Sequence, residues 1–252
     1  MQDLNNQILD LWEHYHNDIN LNVNNQQAIP YLWPTCYYHP PENVEILFVG
    51  LNPSDSFPGV ANVINQAIHN PLFQNLLTHD FVHALDYQAN NYTSQDIAEL
   101  EELAFYNHNY FNKFRNLGNY ILNGNVNNNN NNYYHIDLYQ FRLQNSTIFQ
   151  EIKNNNQEFF NAQFQISCNA IERLNPRIIF VANRYASDDF IEFFSPTWNG
   201  EKGCYVISNN NLNSNVFLSG MITQTRAIDN YSFERLKWHI KKIYNNYIMK
   251  SS

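Results

Sequence analysis

An apolar segment that ends abruptly at a glycine constrains this fold more than any other stretch of the sequence. Residues 44–49 read Val-Glu-Ile-Leu-Phe-Val, and β-branched and aromatic residues of this kind suit a buried strand. Gly50 and Pro53 cannot prolong that strand, so the chain must turn around Leu51 and Asn52. Because open α/β sheets bind ligands outside the carboxyl ends of their strands, the turn is a candidate site. An ordinary β-turn, which Asn-Pro also favours, is the alternative.

Strand-like and helix-like segments alternate along the rest of the chain. Short apolar runs predict further strands at residues 134–139, 177–183, 204–207 and 215–218. Apolar residues at helical spacing predict helices at residues 6–16, 60–68, 93–117, 160–174, 185–194 and 232–247. Thr93 and Asp96 have the spacing of a capping box at the start of the third helix. The alternation predicts an α/β fold, with three α/β/α layers around a central, mostly parallel sheet of four to five strands.

The length of 252 residues suits one large domain with a sizeable core. No segment reads as a linker between two domains. Residues 1–43 are interpreted as an N-terminal helical extension of a single domain that spans residues 1–252. Residues 125–132, which are mostly Asn, are predicted to form an exposed loop.

Composition argues against several classes of protein. No apolar run approaches the length of a membrane span, and the first residues lack the basic start and apolar centre of a secretion signal. The widely separated Cys36, Cys168 and Cys204 favour reduced structural thiols over disulfides or a thiolate metal cluster. A cytoplasmic protein without membrane association is therefore predicted.

Charge is distributed unevenly along the chain. The formal charge of −9 disfavours a general basic coat for nucleic acid and favours a protein partner. Residues 221–252 are the exception, with six Lys and Arg side chains against two acidic ones. Arg235, Lys237 and Lys241 in this segment are candidates for nucleic-acid contact, and a solvated helix face is the alternative.

Two pairs of side chains have the spacing of metal or proton-transfer sites. His79 and His83 lie four apart on one helical face, but no third ligand is evident nearby, so no metal site is predicted. His135 and Asp137 share one face of a predicted strand and could ligate a metal or relay protons. A satisfied hydrogen bond at the strand end is the commoner role of such a pair.

Four segments follow predicted strands at their carboxyl ends. They are the turn at Asn52, the end of the strand that contains His135, the strand end at Asn183, and residues 219–230. Because a parallel sheet gathers the carboxyl ends of its strands on one edge, these segments are expected to line a single cleft.

The turn motif Gly50-Leu51-Asn52-Pro53-Ser54 follows its apolar strand as a similar motif does in the uracil-DNA glycosylase superfamily. It resembles the Gly-x-Asn-Pro forms of the mismatch-specific and single-strand-selective branches. The similarity continues in chain order, with residues 134–142 in the place of the family's second strand and residues 175–183 in that of its third. Residues 216–228 occupy the place of the final strand and of the loop that enters the DNA minor groove.

This resemblance implies hydrolysis of the N-glycosidic bond of a flipped, damaged base in DNA, without a metal or an organic cofactor. The base must leave the duplex because stacking and pairing hide the bond that is cleaved. By resemblance, Asn52 is the catalytic residue and would position the attacking water. The residues implied to bind the substrate are Gly50, Leu51, Pro53, Ser54, Phe57, Asp137 and Asn183, with Phe57 as the stacking aromatic.

The last motif departs from the family pattern. Family members commonly have His-Pro-Ser or a related turn, whereas residues 218–226 read Leu-Ser-Gly-Met-Ile-Thr-Gln-Thr-Arg. This segment is loosely similar to a Met-Pro-Ser-Ser-Ser form in thymine-directed relatives, and it would offer hydroxyls to phosphates and an apolar wedge to the base stack. The implied DNA-binding residues are Ser219, Met221, Thr223, Thr225 and Arg226.

Two other functions are compatible with the sequence. The missing histidine and the acidic charge favour a catalytically inactive nucleic-acid or nucleotide-binding module of the same fold. An enzyme that processes free nucleosides would also suit an acidic protein, and it would show no salt-dependent binding to DNA.

Overall fold

The computed structural model describes residues 1–15, 22–23, 26–27, 34–52, 93–122, 132–140, 146–223 and 227–251. Within these ranges the helices are α1 (Gln2–Tyr15), α2 (Ser94–Asn107), α3 (Asn112–Ile121), α4 (Ser146–Asn155), α5 (Gln157–Leu174), α6 (Arg184–Phe194) and α7 (Asn230–Ser251). The strands are β1 (Asn22–Val23), β2 (Gln26–Gln27), β3 (Ile46–Gly50), β4 (Tyr133–Asp137), β5 (Ile178–Val181), β6 (Thr197–Asn199), β7 (Cys204–Ser208) and β8 (Asn213–Leu218). A 3₁₀ helix, Asn109–Phe111, precedes α3.

Strands β3 to β8 form a six-stranded sheet in the order β4-β3-β5-β8-β7-β6. β3, β5 and β8 are parallel to one another. β7 pairs with β8 in antiparallel orientation, and β6 pairs with β7 in antiparallel orientation. The predicted fold, a three-layer α/β/α arrangement around a mostly parallel sheet, is confirmed. The sheet has six strands rather than four or five because β6 extends it at one edge. Three residues are too few for an alternating pattern to predict a strand.

The central strands explain why helices must cover two faces of the sheet. Every residue of β5 is buried, and so are residues 46–49 of β3. Successive side chains of a strand point to opposite faces, so a strand that is buried throughout needs apolar cover on both. On the face that carries Phe48, α3 supplies cover, since the rings of Phe48 and Phe114 lie 5.4 Å apart.

The chain divides into two compact units, each assembled from three stretches. Unit 1 comprises Met1–His39, Asn52–His108 and Asp137–Ala170. Unit 2 comprises Pro40–Leu51, Asn109–Ile136 and Ile171–Ser252. Most of the six-stranded sheet belongs to unit 2, together with α3, α6 and α7.

Helix α1 is part of the core of unit 1 and begins four residues before the helix that the sequence predicts. Leu4, Ile8 and Trp12 are buried along one side of it. The buried Asn5 side chain donates to the Tyr37 carbonyl and accepts from the Tyr37 N–H, both at 2.8 Å. These paired bonds join α1 to the segment that precedes β3.

The predicted capping box at the start of α2 is present. The Asp96 N–H donates to Thr93 Oγ1 at 3.2 Å, and the Thr93 N–H donates to the Asp96 carboxylate at 2.8 Å. The single helix predicted to residue 117 is in fact two helices, because α2 ends at Asn107 and α3 begins after the 3₁₀ turn. The predicted helix at residues 60–68 and residues 125–131 of the Asn-rich loop lie outside the described residues.

Candidate functional site

The carboxyl ends of β3, β5 and β8 finish level with one another in unit 2. Val49 pairs with Val181, and Val181 pairs with Leu218. One residue further, the Ala182 N–H donates to the Val49 carbonyl and the Ser219 N–H donates to the Val181 carbonyl, each at 2.9 Å. Adjacent strands are about 4.8 Å apart, so the segments that follow β3 and β8 begin about 10 Å from each other.

The strand order creates a topological switch point between β3 and β5. From β3 the next strand along the chain is β4, on one side, whereas from β5 the next strand is β6, at the opposite edge of the sheet. Connections that leave in opposite directions open a crevice outside the carboxyl ends of two adjacent strands, and ligands of α/β proteins bind there. Gly50 and Leu51 flank this crevice on one side, and Ala182 and Asn183 flank it on the other.

The turn after β3 is anchored by a buried leucine. Leu51 is buried between a half-buried Gly50 and a half-buried Asn52. The anchor fixes the point at which Asn52 leaves the strand, and Asn52 is the first residue after β3 that clusters with unit 1. Pro53, Ser54 and Phe57, which the resemblance implicates in substrate binding, lie outside the described residues.

Asn183 is the N-cap of α6. Its Oδ1 accepts from the Tyr185 N–H at 2.9 Å and from the Ala186 N–H at 3.3 Å, which satisfies two donors that a helix leaves open at its start. The carbonyl end of the side chain is therefore occupied by the helix. Of the two ends of this amide, the Nδ2 end is the one that the cap does not use.

Among the described residues of the loop after β8, Thr223 has a buried hydroxyl. Ser219 and Met221 are half-buried, whereas Thr223 is 7% exposed and its Oγ1 has no hydrogen-bond partner among the described residues. The Ile228 N–H donates to the Met221 carbonyl at 2.9 Å, which brings the two ends of the loop together. Thr225 and Arg226 lie outside the described residues.

His135 lies in aromatic surroundings on β4. The centroid of its ring is 5.0 Å from that of Phe111 and 5.6 Å from that of Phe114. Burial lowers the pKa of His135 from its ordinary value of 6.5 to about 3, so the imidazole is neutral at pH 7. Asp137 is half-buried at the end of the same strand and clusters with unit 1. A histidine in this environment suits packing better than proton relay.

Metal-ligating groups are dispersed in the described part of the chain. No set of three or more His, Cys, Asp or Glu side chains is placed there to hold a metal ion, and His79 and His83 lie outside it. Cys36, Cys168 and Cys204 are buried free thiols, and burial raises the pKa of Cys36 and of Cys204. None of the described helices is both long enough and apolar enough to cross a bilayer.

The acidic charge of the chain is concentrated in unit 1. Twelve of the 14 Lys and Arg residues lie in unit 2 with nine of the 23 Asp and Glu, which gives this unit a formal charge of +3. The remaining two cations and 14 acids give unit 1 a formal charge of −12. The β3–β5 crevice is therefore part of the positively charged unit, and the net charge of the whole chain does not argue against an anionic ligand there.

A cavity of about 310 Å³ lies at the opposite, amino-terminal edge of the sheet. Its lining includes Glu45 and Arg177, which form an ion pair at 3.1 Å. None of the residues predicted to act in function lines it.

Sequence analysis missed an exposed stripe on α7 that is composed of Tyr231, Arg235, Trp238 and Lys242. Their spacings of four, three and four residues place all four side chains on one side of a helix. That periodicity is the signal that would have found the stripe. Of its four residues, only Arg235 is among the cations predicted from the sequence to contact nucleic acid.

Comparison of the chain with models of known protein families and with curated proteins finds no match.

Proposed function

We propose that this protein is a uracil-DNA-glycosylase-like hydrolase that cleaves the N-glycosidic bond of a flipped, damaged base in DNA. The observation that carries the proposal is the switch-point crevice between β3 and β5, because the Gly50-Leu51-Asn52-Pro53 turn follows the first of these strands directly. Open α/β sheets bind their ligands at this position, and the turn is the segment that resembles the first motif of the superfamily.

The chemistry requires a positioned water and stabilisation of charge. Cleavage of the bond leaves a sugar with oxocarbenium character and an electron-rich base, so an oriented water and fixed dipoles lower the barrier. In the proposal the Asn52 amide orients that water. Because an amide cannot accept the proton at neutral pH, the reaction would be slower than one in which a carboxylate acts as the base.

The proposal also assigns roles to Asn183 and to the loop after β8. The Oδ1 of Asn183 caps α6, so we assign recognition of the base to its Nδ2. Ser219 and Thr223 would hold phosphates, and Met221 would act as the wedge. The proposal includes no cofactor and no metal.

Partners and location complete the proposal. DNA would bind unit 2, whose formal charge is positive, while the acidic unit 1 would suit a protein partner. We also propose a cytoplasmic location, since three buried free thiols suit a reducing compartment.

The test is formation of abasic sites in DNA that contains uracil, in single-stranded, paired and mismatched form. We expect activity from the wild-type protein and a loss of about 100-fold or more in Asn52→Ala, because the water loses its orienting group. Asn52→Asp should retain activity and gain a dependence on pH, since a carboxylate can accept the proton. Asn119→Ala, at an exposed position on α3, is the matched control.

Absence of an abasic product on all three substrates would remove the catalytic half of the proposal. The alternative that the sequence leaves open, a catalytically inactive binding module of the same fold, would then be supported if Asn183→Asp or Thr223→Val still weakened binding to DNA.

A further inference from the structure

Helices α3 and α7 contain most of the Lys and Arg residues of unit 2. Together they contain seven Lys and Arg residues against one Glu. The helices run side by side in the same direction, because Lys113 near the start of α3 lies over the Phe233 ring near the start of α7 and Tyr120 lies beneath Lys237 and Lys241 further along. Lys237 and Lys241, two of the candidates for nucleic-acid contact, therefore lie between the two helices. Lys237 also forms an ion pair with Glu234 of α7 at 2.7 Å.

The outer side of α7 has a different composition. Tyr231 is 86% exposed and Trp238 is 59% exposed, and the exposed Arg235 and Lys242 alternate with them along the helix. At 100° per residue these four side chains fall within about 60° of one another, and they extend over about 16 Å of helix. The stripe lies opposite the core-facing Ile240.

Large aromatic rings on the solvated side of a helix need an explanation. Such a face is usually occupied by short polar and charged side chains, and Trp is seldom left so open. The Lys242 ammonium lies 5.1 Å from the centre of the Trp238 ring, so a cation and a stacking surface are presented together.

We propose that this stripe, Tyr231-Arg235-Trp238-Lys242, binds single-stranded nucleic acid. Unpaired bases would stack on the two rings while Arg235 and Lys242 contact the phosphates between them, which is how sequence-tolerant single-strand sites combine stacking with charge. Duplex DNA hides the faces of its bases and would gain only the charge contacts. The stripe goes beyond the proposed base excision, and it does not require that Asn52 be catalytic.

An anionic membrane surface is the main alternative partner for the stripe, and the composition of α7 supports it less well. Helices that lie on membranes have a broad apolar face that includes aliphatic side chains. In the described part of α7, both exposed large apolar side chains are aromatic, and each is next to a cation on the stripe. This arrangement fits bases and phosphates better than acyl chains.

The test is the binding of fluorescein-labelled oligothymidine to the full-length protein, followed by fluorescence anisotropy. We expect Trp238→Ala and Tyr231→Ala each to weaken binding by about 10-fold, the usual loss when a stacking ring is removed. Arg235→Gln combined with Lys242→Gln should lower the slope of log affinity against log salt by about 1.4, because two phosphate contacts are lost. Fully paired DNA should bind more weakly than oligothymidine and should be insensitive to Trp238→Ala.

Matched controls are available in the same unit. Trp198 is 57% exposed on β6, so Trp198→Ala removes an equally open ring away from the stripe and should leave affinity unchanged. Arg184→Gln removes an exposed cation at the start of α6 and should not change the affinity either.

Unchanged affinity in the stripe variants would overturn the proposal, and so would equal losses in Trp198→Ala and Trp238→Ala. Binding to phosphatidylserine vesicles that depends on Trp238, with no binding to oligothymidine, would identify a membrane surface instead. Failure of base excision would leave this result unaffected, because the binding assay contains no damaged base.

Discussion

The Asn183 side chain has two chemically distinct ends, an oxygen that accepts hydrogen bonds and a nitrogen that donates them. Its oxygen caps α6, a structural role that the sequence signals because Asn stands directly before the helix. Its amide nitrogen is the group to which we assign recognition of the base. Substitutions that separate the two atoms can therefore separate stability from binding.

We predict opposite patterns for two substitutions of Asn183. Asn183→Ala removes the cap and should lower the free energy of unfolding by about 1 kcal/mol. Asn183→Asp keeps an oxygen acceptor and adds a charge that the helix N-terminus favours, so stability should be retained. If Nδ2 reads the base, Asn183→Asp should nevertheless weaken binding to DNA. Urea denaturation and oligonucleotide binding, measured on the same preparations, check the two effects, and a stable Asn183→Asp with normal binding would limit Asn183 to the cap.

Burial of His135 makes stability depend on pH. The folded protein holds this imidazole neutral down to pH of about 3, whereas the unfolded chain protonates it near 6.5. Protons then bind the unfolded state preferentially as the pH falls from 6.5, so this group lowers the stability of the fold on the acid side. Above pH 6.5 both states hold the neutral form, and the effect is absent.

We predict that His135→Phe reduces the loss of stability between pH 7 and pH 5 by about 2 kcal/mol, one proton over about 1.5 pH units. The measurement is urea denaturation of the wild type and the variant at both pH values, and the difference between them isolates this group from the carboxylates. Asn119→Ala, which replaces an exposed side chain that does not titrate, is the control and should leave the pH dependence unchanged. An equal pH dependence in His135→Phe would show that the imidazole is solvated.

At the scale of elements, α3 approaches β4 closely because of one glycine. A Cβ added at Gly118 would lie 2.5 Å from Cδ1 and 2.7 Å from Cγ of Tyr133, whose ring is 2% exposed and cannot move aside freely. Two effects of a methyl group oppose each other here. Alanine favours the helix by about 1 kcal/mol, while overpacking a core costs about 1–3 kcal/mol.

We predict that the steric effect prevails and that Gly118→Ala lowers the free energy of unfolding by up to about 2 kcal/mol. The neighbouring Asn119 is exposed, so Asn119→Ala should raise stability by a few tenths of a kcal/mol through propensity alone. The pair is compared by urea midpoint. Stabilisation by both substitutions would mean that helix and strand can separate without cost.

The elements that sequence predicts well are those whose information is local. The strand that ends at Gly50, the buried strand β5 and the Thr93–Asp96 capping box all depend on residues that are adjacent or three apart. The break between α2 and α3 was missed because apolar residues continue at helical spacing across the 3₁₀ turn that separates the two helices.

The site was less predictable because it depends on the order of strands. A sequence shows that strands end with Asn52, Asn183 and Ser219 in turn, but not that β5 lies between β3 and β8. Pairing between distant segments decides that order, and it is what turns three separate strand ends into a crevice at the switch point. Asn183 is the opposite case. Its role as the N-cap of α6 is signalled locally, because Asn stands directly before the helix, whereas its role in substrate binding is implied only by the resemblance.

At the scale of the whole molecule, charge is segregated between the two units. Unit 1 has a formal charge of −12 and unit 2 one of +3. Within unit 1, α2 contains Asp96, Glu99, Glu101 and Glu102 and no Lys or Arg. Like charges at this density repel one another in the folded state, and the repulsion is screened by salt.

We predict that salt stabilises this protein and that the gain is concentrated in unit 1. Raising the ionic strength from about 0.01 M to about 0.15 M shortens the screening length from about 30 Å to about 8 Å, so repulsion among the carboxylates weakens while the uncharged strand β5 is little affected. Hydrogen exchange should show increased protection of the α2 amides and a smaller change in β5. Glu99→Gln combined with Glu102→Gln should reduce the response of α2, because fewer charges remain to be screened. Sucrose at matched osmolality serves as the control for non-ionic effects, and equal protection of α2 and β5 by salt would show that the repulsion is spread over the whole chain.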